Sequence, residues 1–216
     1  MAHPFRNTIA LLVGCCLMQA KAFAADVDTV IKGVESAYSD VTTLQAGFVQ
    51  ISRSAAMGET KQKGKVALER PRKMRWTFTQ PPGKLFVTDG ATMWIWSKAD
   101  NQVVISNVAG GQGKGDMTQL LDNLDKLGEL FDVQLQEDGK ASYVLDLTPK
   151  QEGNIQRIEL KVSKNQYMVE QVKTVDGFGN EVELRFHGVK TNGKVPSSSF
   201  SFEVPSGAQV LQADGP

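Results

Sequence analysis

The sequence predicts a mainly β fold: a strongly curved antiparallel sheet or partial barrel whose concave apolar face is covered by one or two helices. Three observations lead there. Between Glu69 and Trp96 lie all three tryptophans of the 216-residue chain, and Pro81-Pro82-Gly83 and Asp89-Gly90 interrupt the stretch. Pro-Gly and Asp-Gly between apolar runs reverse the chain, so this segment reads as three short neighbouring antiparallel strands. Within it, Met74, Trp76 and Phe78 alternate with Arg75, Thr77 and Thr79, and a period of two sends the large apolar groups to one face. From Phe131 onward, alternating segments follow one another with turn residues between them, for a total of about ten strands and few helices.

The chain begins with Arg6, an apolar run from Thr8 to Met18, and Ala22-Phe23-Ala24. A basic start, a run of that length and an A-x-A site read as a secretory signal. Residues 1–24 are therefore expected to be cleaved, leaving 25–216 as one exported domain. The run is shorter than the roughly 20 residues of a membrane-spanning helix. Leu12-Val13-Gly14-Cys15 offers an alternative, a lipoprotein signal, which would leave Cys16, Leu17 and Met18 at the front of the mature chain. Soluble export is the expectation. Both cysteines, Cys15 and Cys16, fall within the signal, so the exported part has no disulfide, thiol nucleophile or thiolate metal site. Its fold must rest on core burial, which a chain of this size can supply.

Lysine and arginine number 24, as do aspartate and glutamate, and the signal removes only Arg6 and Lys21. A near-neutral chain without a basic run argues against nucleic acid and against an anionic membrane surface as partner.

From Asp26 to Val41, the apolar residues Val27, Val30, Ile31, Val34, Tyr38 and Val41 fall at helical spacing, with Asp26 placed to cap. Leu44 to Ile51 alternates as a strand, a turn near Met57-Gly58 follows, and Val66 and Leu68 alternate with charges up to Glu69. Beyond the tryptophan-rich hairpins, Gln102 to Val108 is a further strand. Residues 110–115 hold four glycines and read as a flexible loop or hinge. The Gly-Lys-Ser/Thr ending of a phosphate-binding loop is missing. Met117, Leu120, Leu121, Leu124 and Leu127 then mark a second amphipathic helix, with Asp116 and Gln119 at capping-box spacing. With its glycine hinge this helix looks like a lid, although a plain packed helix gives the same stripe. The remaining strands are expected at Val133–Gln136, Tyr143–Leu147, Ile155–Val162, Met168–Val175, Val182–Val189 and Phe200–Val204.

Candidate chemistry is sparse. His3 leaves with the signal, and His187 sits on the polar face of its strand, where a solvated imidazole is expected. A histidine-based nucleophile or a zinc site is hard to assemble from that. No Gly-x-Ser-x-Gly elbow supports a lipid hydrolase. The residues point to binding without catalysis, and no cofactor is implied.

Five motifs occur in order: Leu44-x-Ala46-x-Phe48-x-Gln50, Arg70-Pro71-x-x-Met74-Arg75-Trp76, Asp89-Gly90-x-x-x-Trp94, Leu147-Thr148-Pro149-Lys150, and Phe200-x-Phe202-x-x-Pro205-x-Gly207. Together they span essentially the whole mature chain, which resembles the LolA family of periplasmic lipoprotein carriers. The resemblance implies an unclosed β-barrel with helices as a lid over an apolar cavity. It implies that acylated lipoproteins are taken from the inner-membrane ABC transporter LolCDE and delivered to the outer-membrane receptor LolB, with the carrier a monomer in the periplasm. Met74, Trp76 and Phe78 would line the cavity, Met117, Leu120, Leu121 and Leu124 would line the lid, and Arg70 would be the latch that controls opening. Met74 stands where the family often has an aromatic residue, which gives a softer wall. The same fold also serves sensors that bind a lipid or lipoprotein without any hand-off. Exposing acyl chains to water costs roughly 0.8 kcal/mol per CH₂, so about 12 kcal/mol for a chain of about 16 carbons. A half-barrel of this length shields a triacylated anchor only in part, so loading needs an external drive.

Overall fold

The computed structural model describes residues 25–108, 117–151 and 153–213. The expected signal segment, the glycine-rich loop 110–115 and Asp116 of the capping box lie outside them.

Twelve strands form one sheet among the described residues: β1 (Thr43–Ser54), β2 (Gly58–Glu69), β3 (Lys73–Gln80), β4 (Pro82–Asp89), β5 (Thr92–Ser97), β6 (Gln102–Asn107), β7 (Phe131–Asp138), β8 (Ser142–Pro149), β9 (Ile155–Ser163), β10 (Val169–Asp176), β11 (Glu181–Thr191) and β12 (Gln209–Ala213). Their order is β12-β6-β5-β4-β3-β2-β1-β11-β10-β9-β8-β7. Neighbours are antiparallel, except that β12 runs parallel to β6. The end strands β7 and β12 do not pair with each other, so the barrel stays open.

Cross-strand partners share a face, and the register therefore sorts every side chain. Ala46, Val66, Trp76, Phe86, Ile95 and Val104 form one inner row across β1 to β6. Leu184, Val172, Leu160, Leu145 and Leu135 form another across β11 to β7. Helix α1 (Val27–Ser39) lays Val30, Val34 and Tyr38 on this face. Asp26 precedes α1 as expected, but its side chain makes no cap hydrogen bond. Its carbonyl instead accepts from the amides of Thr29 and Val30 at 3.0 and 3.2 Å.

Two expectations fail. The single lid helix is broken into α2 (Met117–Asp122), a 3₁₀ turn (Leu124–Lys126) and α3 (Leu127–Leu130). The break falls at Asn123, whose side-chain amide donates to the Gln119 carbonyl at 2.9 Å, the local competition for backbone groups that makes Asn a poor interior helix residue. Re-aiming the chain there buries Leu120, Leu121, Leu124 and Leu127 together.

The predicted strand at Phe200–Val204 is also absent. Phe200 ends a 3₁₀ turn (Ser197–Phe200) that packs on β3 and β4, where Arg75 donates from Nη1 to the Ser199 carbonyl at 3.0 Å. Phe200 is buried with Leu85, Val87 and Val103. These lie apart from the main core. The register puts Leu85 and Val87 on the outer face, opposite Trp96 and Trp94. Phe200 thus serves a second, smaller core, and the true last strand is β12.

Candidate functional site

The inner face narrows to an aromatic cluster. Phe48 meets Trp76 and Phe78 edge to face, at centroid distances of 5.0 and 5.2 Å, and Phe186 lies 6.3 Å from Trp76. Gly64 makes this possible. A Cβ there would stand 2.6 Å from the Phe48 ring and 2.3 Å from the Thr77 carbonyl, so only a bare backbone lets Phe48 lie across β2. The register also settles the strand whose faces are both apolar. Met93 and Ile95 pair with Thr88 and Phe86 and face inward, whereas Trp94 and Trp96 face outward.

The lid segment 117–130 closes one end. Leu121 and Leu124 cover Tyr38, Leu44, Val66, Leu68, Val169, Phe186 and Val189, and the void left between them is only about 20 Å³. That is room for about one water. Met74, Leu120 and Leu124 are wholly buried, and Trp76, Phe78 and Leu121 nearly so. The side chain of Met117 lies outside the described residues.

At the other end, the inner face stays open as a groove of about 440 Å³. Trp76, Phe78, Phe86, Ile95, Val182 and Leu184 form its walls, and Gln50, Lys84, Asp176 and Asn180 form its rim. Its size falls within the range of roughly 300–1,000 Å³ typical of small-molecule sites. The structure thus gathers the predicted wall residues on one face and divides them. Met74 belongs to the closed half, while Trp76 and Phe78 reach the open one.

Arg70 stands where sheet, helix and lid meet. Its Nη1 donates to the Tyr38 carbonyl at 3.0 Å and lies 3.2 Å from an Asp125 carboxylate oxygen. The Arg70 side chain is 15% exposed and that of Asp125 27%. Nε and Nη2 of Arg70 are buried without a protein partner. Two further bonds tie the lid down. The Arg72 amide donates to Asp122 Oδ1 at 3.0 Å, and the Gly128 amide to Glu35 Oε1 at 2.9 Å. Tyr38 anchors α1 from below, since its hydroxyl oxygen accepts from the Val169 amide at 3.0 Å. Burial pushes the Tyr38 phenol up to about 12, against smaller opposing effects of that bond and of Arg70.

Family likeness alone singled out Arg70 in the sequence, and the contacts it makes were not legible there. Tyr38 was visible only as part of a helical stripe. Asp122 and Asp125 read as solvating charges, because an unbroken helix gives no reason to turn them towards β2. No group of three or more His, Cys, Asp or Glu side chains able to hold a metal is found among the described residues, and His187 is exposed on the outer face beside Gly47.

Known proteins agree with this architecture. The chain is similar to the outer-membrane lipoprotein carrier protein of Legionella pneumophila (strain Corby), with 31% identity over 181 residues, 83% of this chain and 88% of that protein. It is 26% identical to the protein of that name from Alkalilimnicola ehrlichii over 208 residues, 95% of each chain. The crystal structure of an uncharacterized conserved protein from Thermus thermophilus shares the fold, with a TM-score of 0.55 at 16% identity over 87% of this chain and 99% of that one. The family profile described as outer membrane lipoprotein carrier protein LolA matches residues 39–203, and the chain belongs to that family.

Proposed function

We propose that this protein carries outer-membrane lipoproteins through the periplasm by holding their acyl chains against the inner face of its sheet. The reading is carried by one observation: an apolar face closed at one end by a lid that Arg70 fastens, and open at the other as a groove of about 440 Å³. Trp76 and Phe78 receive the first part of a chain. Met74, Leu120, Leu121 and Leu124 become available when the lid lifts, and Met117 starts that lid. An apolar wall without directional hydrogen bonds accepts hydrocarbon of any conformation, as a carrier of many cargoes requires.

Arg70 is the latch in this reading, and an imperfect one. Each buried polar group without a partner costs about 1–3 kcal/mol, so the two unpartnered nitrogens of Arg70, Nε and Nη2, hold the closed state close to balance with the open one. The family's hand-off assigns LolCDE as donor and LolB as receptor. Since the lid fills its own hollow, loading must displace it, which fits an energy-driven donor. Release then runs towards a receptor that covers the chains better.

The test is to purify the protein from membranes bearing a triacylated lipoprotein and follow transfer to receptor-containing outer membranes. Co-elution with the cargo and onward transfer are expected, with Arg70→Leu retaining cargo and passing it on poorly. Normal transfer by Arg70→Leu would remove the latch assignment. Cargo binding with no transfer to any receptor would favour a sensor of lipids or lipoproteins.

A further inference from the structure

The two most exposed large apolar side chains among the described residues are Met57, 81% exposed, and Phe178, 94% exposed. They stand on neighbouring hairpin tips. Met57 lies between β1 and β2, Phe178 between β10 and β11, and β1 pairs with β11 up to Arg53 opposite Glu181. Both tips are therefore at one end of the sheet. The open groove ends there too, since Asp176, Asn180 and Val182 line it.

Neither tip is a loose loop. Asp176 Oδ1 accepts from the amides of Phe178 and Asn180 at 2.9 Å each, and Asp176 Oδ2 from the Asn180 side-chain amide at 2.8 Å. Ser54 Oγ accepts from the Met57 amide at 3.1 Å. Two firm turns each hold a large apolar group out in solvent.

The charges beside the tips are sorted. On the outer face, Glu59, Glu181 and Glu183 are all taken by Arg53, with Nε or Nη1 at 2.9, 3.8 and 3.4 Å. Lys61, Lys63 and Lys65 follow along β2 on the same face, opposite Ile51, Val49 and Gly47. They form no ion pair among the described residues. Lys173 and Arg185 also meet Glu181 and Glu183, at 2.9 and 2.5 Å, so these three carboxylates face three cations. The Asp176 carboxylate is held by amide donors alone, and the lysines of β2 carry unpaired charge. The sequence showed no basic run because the lysines alternate with inward residues, and only pleating brings them to one side.

We propose that this end of the sheet docks on a bilayer carrying anionic phospholipids. Met57 and Phe178 enter the boundary between headgroups and acyl chains. Lys61, the lysine nearest the tip, meets the headgroup phosphates, and Lys63 and Lys65 add a longer-range attraction from further along β2. Isolated apolar groups on polar tips suit a surface that accepts a side chain anywhere, and reversible membrane attachment takes an apolar and a basic signal together. The dock turns the open groove towards the bilayer. Its existence does not depend on the carrier reading, because membrane binding is measured without cargo.

The experiment is sedimentation of the purified protein with vesicles of phosphatidylglycerol and phosphatidylethanolamine, and with pure phosphatidylcholine vesicles, at low and physiological salt. Binding to the anionic vesicles that weakens with salt is expected. Phe178→Ser and Met57→Ser each reduce it about tenfold or more, and Lys61, Lys63 and Lys65 changed together to Gln reduce it about fivefold or more. All three variants keep the wild-type melting temperature, since the groups are exposed. No binding to anionic vesicles at low salt overturns the proposal, as does binding that these variants leave intact. Tip variants that lose transfer to a protein receptor, with vesicle binding unchanged, would assign the tips to that receptor and overturn it too.

Discussion

Removing either partner of the Arg70–Asp125 pair breaks the same contact, yet the two substitutions leave different groups behind. In Arg70→Leu the lost bond is the charge-assisted one to the Tyr38 carbonyl, worth about 1.5–3 kcal/mol. That carbonyl is not orphaned, because the amides of Asp40 and Val41 also donate to it. Against the loss, the substitution removes two buried nitrogens, Nε and Nη2, that have no partner, each costing about 1–3 kcal/mol. With the partly exposed Asp125 pair worth at most about 1 kcal/mol more, the net change runs from about 2 kcal/mol of destabilisation to a few kcal/mol of stabilisation. In Asp125→Ala the guanidinium stays, 15% exposed, with the Tyr38 carbonyl as its one protein acceptor among the described residues. Breaking a fully buried pair this way costs about 3–5 kcal/mol. With the residual exposure of both side chains, solvent screening reduces that to about 2 kcal/mol. Urea unfolding, extrapolated linearly, measures both, and amide exchange over 117–130 shows whether the loss is confined to the lid. Asp125→Ala is expected to be the more damaging, and nearly silent in the Arg70→Leu background. An Arg70→Leu variant clearly less stable than Asp125→Ala, or strictly additive effects, would refute the view of Arg70 as an under-satisfied latch.

Three other outcomes follow from the structure. Tyr38 is protonated when folded up to about pH 12, whereas an unfolded chain releases that proton near pH 10. Its contribution is complete below pH 10 and is lost as the pH rises to about 12, by about 3 kcal/mol; Tyr38→Phe should flatten that part of the stability profile measured by denaturant titration. Gly64→Ala forces a methyl group against the Thr77 carbonyl and the Phe48 ring, with an expected cost of about 1–3 kcal/mol or more and a shifted near-ultraviolet signal from Trp76; unchanged thermal unfolding would contradict the packing described. Leu121→Asp puts a carboxylate over the closed half of the inner face, so amides of 117–130 should exchange faster while those of β8 to β10 stay protected; global unfolding would make Leu121 plain core.

Alternation alone disclosed much of this molecule, because a half-buried strand writes its two faces into the sequence. Met74, Trp76 and Phe78 are such a case, and so are Val182 and Leu184. Where both faces are apolar, as from Met93 to Trp96, only pairing decides, and it turned the tryptophans to the outer face, opposite Val87 and Leu85. The second, smaller core also explains the misread tail. Phe200 and Phe202 alternate like a strand, but Phe200 is fixed by burial over β4 and the chain pairs only later, in β12. Every residue of β12 is exposed and leaves no alternation to find. The lid was legible as apolar positions and not as shape, since its break depends on one side-chain amide at Asn123. Arg70 was legible only through family likeness, and its partners needed the fold.

The filled hollow beneath the lid, with room for about one water, has a thermodynamic consequence. On the proposed reading, a visiting hydrocarbon meets leucines already seated there and trades places with them, so the oily surface withdrawn from water is smaller than the visitor's own. Loading should accordingly show a shallow heat-capacity change, and its affinity is a difference between two occupants. Between journeys, molecules that keep their grease tucked under their own leucines can crowd together without adhering.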